Sequence, residues 1–442
     1  MTGFIPIHTI SLGCPKNLVD TERILGALGD RFRAVESPRE AEVVLINTCG
    51  FIQPAVEESI ETILETAGDV ANLSPRPLLA VTGCLHARFG AELERELPEV
   101  DVWVPLARQE EAGRYLLRAL GYASLEGKEA PLGRDEAPKR VVSTGASYAY
   151  LKISEGCDRS CSFCLIPSIR GAMRSRTIAS LKAEARSLLD RGLRELILVG
   201  QDVTEYGRDL GPGSDLPALL RELASLPGLS WLRLMYLYPS GVNERLLSSL
   251  REVTPPLLPY FDIPLQHAHP DILKAMGRPF AARPQRVVDL VRSHFPEASL
   301  RTTLLTGFPG EGEEHFRTLA DFVRRVRFQH MGVFAFWAEG GVRAADLPGQ
   351  VDQELKEARR RELMRIQAEI SRQELAACQG RDMSVLVDRP HPEWPTLFQG
   401  RVWFQAPEVD GICYVSGEGL SPGDMVSARI EETQTYDLVA LA

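Results

Sequence analysis

Three kinds of hydrophobic pattern follow one another along the 442 residues of the chain. Over residues 1–125, short apolar runs alternate with amphipathic stretches. The runs opening at Ile5, Val43 and Leu78 read as buried strands, and each closes on a cysteine beside glycine: Cys14, Cys49 and Cys84. Between them, Val19 to Leu28 and Ala55 to Thr66 carry apolar residues at i, i+3 and i+4, the period of a helix with one buried face. The three cysteines are equally spaced, at an interval natural for one strand-helix-strand step of a parallel sheet. Residues 126–144, rich in charge, Pro and Gly, read as a linker.

From 145 to 375 the alternation becomes longer. Strands are expected at Tyr150 to Ile153, Glu195 to Val199, Trp231 to Met235, Tyr260 to Ile263, Ser299 to Leu305 and His330 to Phe336, with helices such as Ile178 to Arg191 and Leu216 to Leu226 between them. That is about six βα units, whose chemistry belongs at the carboxyl ends of the strands. Residues 350–374 form a charged bridging helix with apolar Leu355, Leu363, Ile366 and Ile370, its charges read as a solvated face. Residues 376–442 switch to short alternating runs split by Gly and Pro, the pattern of a small antiparallel β-barrel. The fold class is therefore α/β: a parallel-sheet domain, a partial (βα)6 barrel and a small β-barrel.

Composition sharpens this outline. With 44% hydrophobic and 25% charged residues the chain is globular. A net charge of −10 argues against general affinity for nucleic acid and is compatible with a basic partner. No secretory leader and no bilayer-length apolar run is visible, so a cytoplasmic protein without membrane contact is expected. Eight cysteines, three of them tightly clustered, point to metal ligation in a reducing compartment and away from a disulfide framework.

That cluster is Cys157-Asp-Arg-Ser-Cys161-Ser-Phe-Cys164, just after the first strand of the second segment. Three thiolates so close in sequence suit one iron-sulfur centre with a ligand position left open for chemistry. The spacing does not match paired zinc knuckles. Cys14, Cys49 and Cys84, brought to one sheet edge by parallel strands, form a second candidate triplet; the plainer alternative is three strand-end cysteines packed as small hydrophobes.

Cys157, Cys161 and Cys164 resemble the CxxxCxxC signature of radical S-adenosylmethionine (SAM) enzymes. The resemblance implies a 4Fe-4S cluster whose open iron chelates SAM, and reductive cleavage of SAM to a 5′-deoxyadenosyl radical. Gly13-Cys14-Pro-Lys-Asn17 with Asp20 and Glu22, Asn47-Thr-Cys49 and Gly83-Cys84 resemble the N-terminal domain of methylthiotransferases, which implies an auxiliary 4Fe-4S cluster on Cys14, Cys49 and Cys84. Two clusters and SAM are thus the expected cofactors, with one SAM methylating sulfur at the auxiliary site and another supplying the radical. Gly200-Gln201-Asp202 lies where radical SAM enzymes contact the amino group of SAM, although Gln201 replaces the second glycine of the usual pair. Pro264-Leu-Gln266-His267 and the stretch Thr306 to Glu311 also match that face. Arg301 is either a partner for the SAM carboxylate or a member of an ordinary ion pair. Arg170, Arg174 and Arg176 are either anion binders or a structural basic turn. His267 and His269 read as ordinary polar loop residues.

Ala406 to Gly411 and Pro422-Gly-Asp424 resemble the TRAM module. TRAM barrels often bind RNA, but this tail has ten acidic residues against four arginines, so a phosphate backbone would be repelled and a basic protein favoured. Cys378 and Cys413 are read as non-ligating. Ser11 to Asp20, with Pro15 where the tRNA-modifying branch typically has Gln, and Tyr436-Asp-Leu438 resemble the ribosomal-protein branch of the methylthiotransferases. That branch adds a methylthio group to the β-carbon of an aspartate in small-subunit ribosomal protein twelve, a very basic partner. A low-potential electron donor and a monomeric enzyme are expected, with nucleic acid not the primary contact. Three other readings compete: a tRNA adenosine methylthiotransferase, a radical SAM enzyme of another reaction class, and a non-catalytic iron-sulfur or RNA-binding protein.

Overall fold

The computed structural model describes residues 4–122, 135–278 and 283–442. The chain falls into two compact units, each assembled from separate stretches: Met1–Ser143 with Glu155–Arg159 and Cys164–Arg174, and Thr144–Ser154 with Ser160–Phe163 and Ser175–Ala442.

The first unit is a five-stranded parallel sheet. Its strands are β1 Ile5–Ser11, β2 Phe32–Ala34, β3 Val43–Thr48, β4 Leu78–Gly83 and β5 Val102–Val104, in the order β2-β1-β3-β4-β5. The central β3 is apolar from Val43 to Ile46 because both of its faces are covered. Val44 and Ile46 pack with Val56, Ile63 and Val70 of the helix Gln53–Val70, while Val43 and Leu45 pack with Ile24 and Leu28 of the helix Pro15–Leu28. Both helices start earlier than their apolar period suggests. Each takes a proline in its first turn, where a missing N–H costs nothing.

The expected linker is partly outside the described residues, which omit 123–134. Its described end is not loose. Arg140 is buried and donates from Nε to Glu22 Oε2 at 2.6 Å, and the N–H of Ser143 donates to Glu22 Oε1 at 2.6 Å. Glu22 thereby fastens this segment to the helix Pro15–Leu28.

The second unit opens with β6 Tyr148–Lys152; the loop of clustered cysteines that follows, divided between the two units, is flanked by the short strands β7 Ser154–Glu155 and β8 Arg174–Ser175. The remaining strands are β9 Glu195–Val199, β10 Trp231–Leu234, β11 Leu257–Asp262, β12 Ser299–Thr306 and β13 His330–Ala335. They form a six-stranded parallel sheet in the order β13-β12-β11-β10-β9-β6, each strand beside its predecessor in the chain, as six βα units require. Thr177, Asp215 and Asn243 cap the helices Ile178–Leu189, Leu216–Ala224 and Glu244–Glu252 by accepting from the N–H of Ser180, Ala218 and Leu246.

The bridging helix is Gln353–Ala376, and its charges are not all solvated as the sequence suggested. Lys356 and Arg359 are buried: Lys356 Nζ caps the carbonyl of Phe336 at 2.9 Å, and Arg359 pairs with Glu311 at 2.8 Å. Leu355, expected on the apolar face, is exposed. A charge run cannot announce which members find buried partners.

The tail closes into a five-stranded barrel of β14 Asp382–Pro390, β15 Leu397–Val402, β16 Cys413–Ser416, β17 Met425–Thr433 and β18 Leu438–Leu441 around Val385, Val387, Val402, Val415 and Ile430. It is not wholly antiparallel, since β16 and β18 pair in parallel to complete the closure. Several tail charges point inward, which corrects their reading as surface. Arg401, buried, pairs with Glu195 at 2.5 Å and Asp388 at 2.7 Å, and Asp410, 1% exposed, accepts from Tyr260 Oη at 2.7 Å. Asp382, Glu393, Glu408, Glu418, Glu431 and Glu432 remain exposed, against Arg381, Arg389 and Arg429. The surface surplus is smaller than the sequence count, with the same sign. No helix among the described residues is long and apolar enough to cross a membrane.

Candidate functional site

Cys14, Cys49 and Cys84 each follow the carboxyl end of a strand in the first unit, after β1, β3 and β4. The turns that carry them need glycine. Gly13 has φ +88°, and a Cβ there would meet Cys49 Cβ at 2.8 Å; Gly83 has φ +107°, and its Cβ would meet Thr48 O at 2.4 Å. No side chain fits either place, so the cysteine turns can approach one another closely.

Asn17 and Asn47 lock this edge. Asn17 Nδ2 donates to the carbonyls of Leu12 and Thr48, both at 3.0 Å, and Asn47 Nδ2 donates to the carbonyl of Asn17 at 2.8 Å. Ser59, on the helix Gln53–Val70, accepts from the N–H of Cys49 at 3.1 Å and donates to its carbonyl at 2.8 Å.

The three thiols lie near enough to act on one another electrostatically, yet their environments differ. Burial opposes ionisation of Cys14, but Lys16, the N–H of Asn17 and Arg170 together hold its thiol below the ordinary value. Burial raises Cys49, and burial pushes Cys84 up to about 11 against the pull of Arg170. The thiols of Cys49 and Cys84 therefore resist ionisation, whereas a bound metal removes that cost by holding the thiolate directly. The donor set therefore fits a thiolate-ligated cluster: three cysteines, no disulfide, and glycine turns that keep bulk away from the sulfurs.

Arg170 reaches this edge from the short helix Ile166–Arg170 of the same unit, and sequence reasoning missed what it does there. Its guanidinium is 2% exposed and bonded to Asp20 at 3.0 Å, Glu155 at 2.8 Å, Asn17 Oδ1 at 2.5 Å and Cys84 Sγ at 3.3 Å. Arg170 and Arg176 are thus both engaged by side chains of the protein. Arg176 pairs with Glu184 at 2.5 Å and donates to the carbonyl of Lys152, while Arg174 is exposed.

Of the clustered cysteines, Cys157 and Cys164 sit in the first unit. Each thiol accepts from the backbone two residues on, Cys157 from Arg159 N at 3.4 Å and Cys164 from Ile166 N at 3.5 Å. Such N–H···S bonds suit sulfurs that carry negative charge. Cys161 belongs to the second unit, with its Sγ 4.0 Å from Tyr238 Oη.

At the strand ends of the second unit, a Cβ on Gly200 would lie 2.7 Å from Ser154 Oγ, so a side chain there would have to displace that hydroxyl. Gln201 is half-buried, and buried Asp202 accepts from the N–H and hydroxyl of Thr204, capping the next turn. Arg301 lies between Asp262, at 3.2 Å, and Asp410, at 3.3 Å, the ion pair that was one of its two readings. His267 is not an ordinary loop residue. It is fully buried, its Nδ1 accepts from the N–H of His269, and its Nε2 lies 3.4 Å from Glu311. His269 caps the helix Pro270–Ala275. Cys413 is buried in the barrel core with its thiol pushed up to about 12, and half-buried Cys378 packs against that core; neither lies in the cysteine turns.

Comparisons with known proteins bear on this arrangement at two levels. Family models match three segments: residues 6–105 the Uncharacterized protein family UPF0004, residues 151–323 the Radical SAM superfamily and residues 380–442 the TRAM domain. Along the whole chain, the Ribosomal protein uS12 methylthiotransferase RimO of Nitratidesulfovibrio vulgaris strain Hildenborough is 57% identical over 439 residues, covering 99% of this chain and 100% of the relative. The chain belongs to the RimO family. The RimO proteins of Oleidesulfovibrio alaskensis, 54% identical over 99% of this chain and 100% of the relative, and Aquifex aeolicus, 42% identical over 98% and 96%, extend the likeness. As members of the radical SAM superfamily, RimO chains carry the expectation of a 4Fe-4S cluster and SAM. Among solved structures, the radical SAM methyltransferase TsrM of Kitasatospora setae superposes with a TM-score of 0.55 at 15% identity, covering 76% of this chain and 75% of its own. That is a likeness of fold.

Proposed function

We propose that this RimO-family chain transfers a methylthio group to ribosomal protein uS12, at the β-carbon of an aspartate. The observation that carries the proposal is the pairing of two cysteine sets, one after the parallel strands of the first unit and one in the CxxxCxxC loop, in a chain 57% identical to a uS12 methylthiotransferase along its length. A C–H beside a carboxylate is too weakly acidic for ordinary base removal, which is why the reaction calls for radical chemistry.

Cys157, Cys161 and Cys164 would hold the 4Fe-4S cluster that binds SAM, and Cys14, Cys49 and Cys84 a second one. When bound, these groups supply the electron, the 5′-deoxyadenosyl radical and the sulfur to be methylated. The residues of the chain supply the rest. Asn17, Asn47 and Ser59 hold the three auxiliary thiols in register. Gly200 leaves room for close approach at the barrel edge, where Gln201 and Asp202 would hold the amino group of SAM, and Arg301, now paired with Asp262 and Asp410, would be the cation nearest to hand for its carboxylate. The exposed acidic surplus of the TRAM barrel favours a basic protein over an RNA phosphate backbone. A low-potential donor supplies the electron to a monomeric enzyme.

Anaerobic reconstitution followed by SAM-cleavage assay tests this directly. 5′-Deoxyadenosine should form with a strong reductant and fall to background in Cys157→Ala. Equal formation by that variant would remove the cluster from Cys157, Cys161 and Cys164.

A further inference from the structure

The Arg170 guanidinium is bonded to a candidate auxiliary sulfur, at Nε to Cys84 Sγ, 3.3 Å. Its surroundings fix both its place and its charge. Arginine keeps its proton at any working pH, and three other groups aim it: Asp20 and Glu155 at Nη1, Asn17 at Nη2. Asp20 and Asn17 lie on the helix that starts at Pro15, directly after Cys14, so the fork is braced by the turn of one auxiliary cysteine while it touches another. Burial to 2% exposure removes the water that would otherwise screen the charge.

Resting on the two-cluster reading above, we infer that Arg170 tunes the auxiliary cluster, its N–H···S bond and fixed positive charge raising that cluster's reduction potential. Reduction adds negative charge to an iron-sulfur centre and its thiolates. A donor and a cation at one of those sulfurs therefore stabilise the reduced form over the oxidised form. Arg170 closes the helix that follows Cys164, so the segment bearing one cysteine of the SAM-binding set also sets the electron affinity of the other centre. Arg170 is thus a positioning residue, acting on the reaction through Cys84. Its carboxylate partner Asp20 opposes it, because the negative charge of Asp20 partly cancels the field felt by the cluster.

The test uses the full chain with Cys157, Cys161 and Cys164 replaced by alanine, so that only the auxiliary cluster reports, reconstituted anaerobically and titrated potentiometrically with detection by electron paramagnetic resonance. Into that background go Arg170→Gln and, separately, Asp20→Asn. The midpoint should move down in Arg170→Gln and up in Asp20→Asn, opposite directions that a merely structural pair would not give. Should Arg170→Gln fail to assemble its cluster, the upward shift in Asp20→Asn still carries the inference, and an unchanged or lowered midpoint there overturns it. An unchanged midpoint in an assembled Arg170→Gln cluster overturns it as well. A parent that holds no cluster overturns the auxiliary-site reading itself, and this inference with it.

Discussion

Asn17 shows how much of the first unit hangs on single side chains. Its amide nitrogen joins the turn before Cys14 to the end of β3, and its amide oxygen receives Arg170. The two cysteine sets should be separable at this scale. Cys161→Ala is expected to abolish SAM cleavage while iron content falls only to about half, because the auxiliary thiolates still hold theirs. Cys49→Ala should lose a similar share of iron and keep cleavage, with methylthio transfer abolished. Iron analysis beside deoxyadenosine quantification checks both, and cleavage by the Cys161 variant at the parental rate would contradict the assignment. Away from the cysteines, Arg401→Ala leaves buried Glu195 with Arg233 but short of a second cation, and leaves Asp388 with the Ser147 hydroxyl but no cation. A loss of about 3–5 kcal/mol is expected in denaturant unfolding. The cysteines were legible in the sequence because their spacing is their signal. Arg170 was not, since nothing local distinguishes it from Arg174 or Arg176; its role comes from Asp20, Asn17 and Cys84, far away in the chain.

Among the elements, strands announced themselves best. β9 occupies the predicted residues because Glu195-Leu-Ile-Leu-Val199 is a short apolar run with nothing else to become. The closing pair of the tail barrel was illegible in orientation, since a parallel and an antiparallel partner for β18 leave the same alternation in sequence. The turn after β4 yields a sharper test. Gly83→Ala places a Cβ against the Thr48 carbonyl at a φ that side chains rarely adopt, a strain of about 1–3 kcal/mol. Because relief requires the turn to move Cys84, the auxiliary share of iron should drop more than the melting temperature does. Two loop and strand histidines give the second unit an acid limit. Burial lowers His267 despite the pull of Glu311, and burial lowers His330 despite Asp410, with Arg301 and Arg233 pushing the same way as burial. Both are neutral when folded, while the unfolded chain takes up protons near pH 6.5. Their contribution is therefore full above about pH 6.5 and is lost as pH falls toward the folded values. Denaturant midpoints of the metal-free chain should decline over that window, and the decline should shrink in His330→Gln; a flat profile in the parent would contradict it.

Across the whole molecule, charge is the argument that the structure most altered. Ten acidic residues against four arginines suggested an acidic tail surface, but Asp410, Asp388 and Arg401 are spent on contacts within the second unit. What remains outside is a modest acidic surplus. The proposed function joins the two cysteine sets and this surface to one substrate, a basic ribosomal protein. Its most direct test is a paired anaerobic assay of reconstituted enzyme with SAM, sulfide and reductant, one reaction holding uS12 and the other unmodified tRNA, read by mass spectrometry for replacement of hydrogen by SCH3. A methylthio group is expected on a uS12 aspartate and none on the tRNA. Modification of the tRNA alone, or deoxyadenosine with neither product, would contradict it.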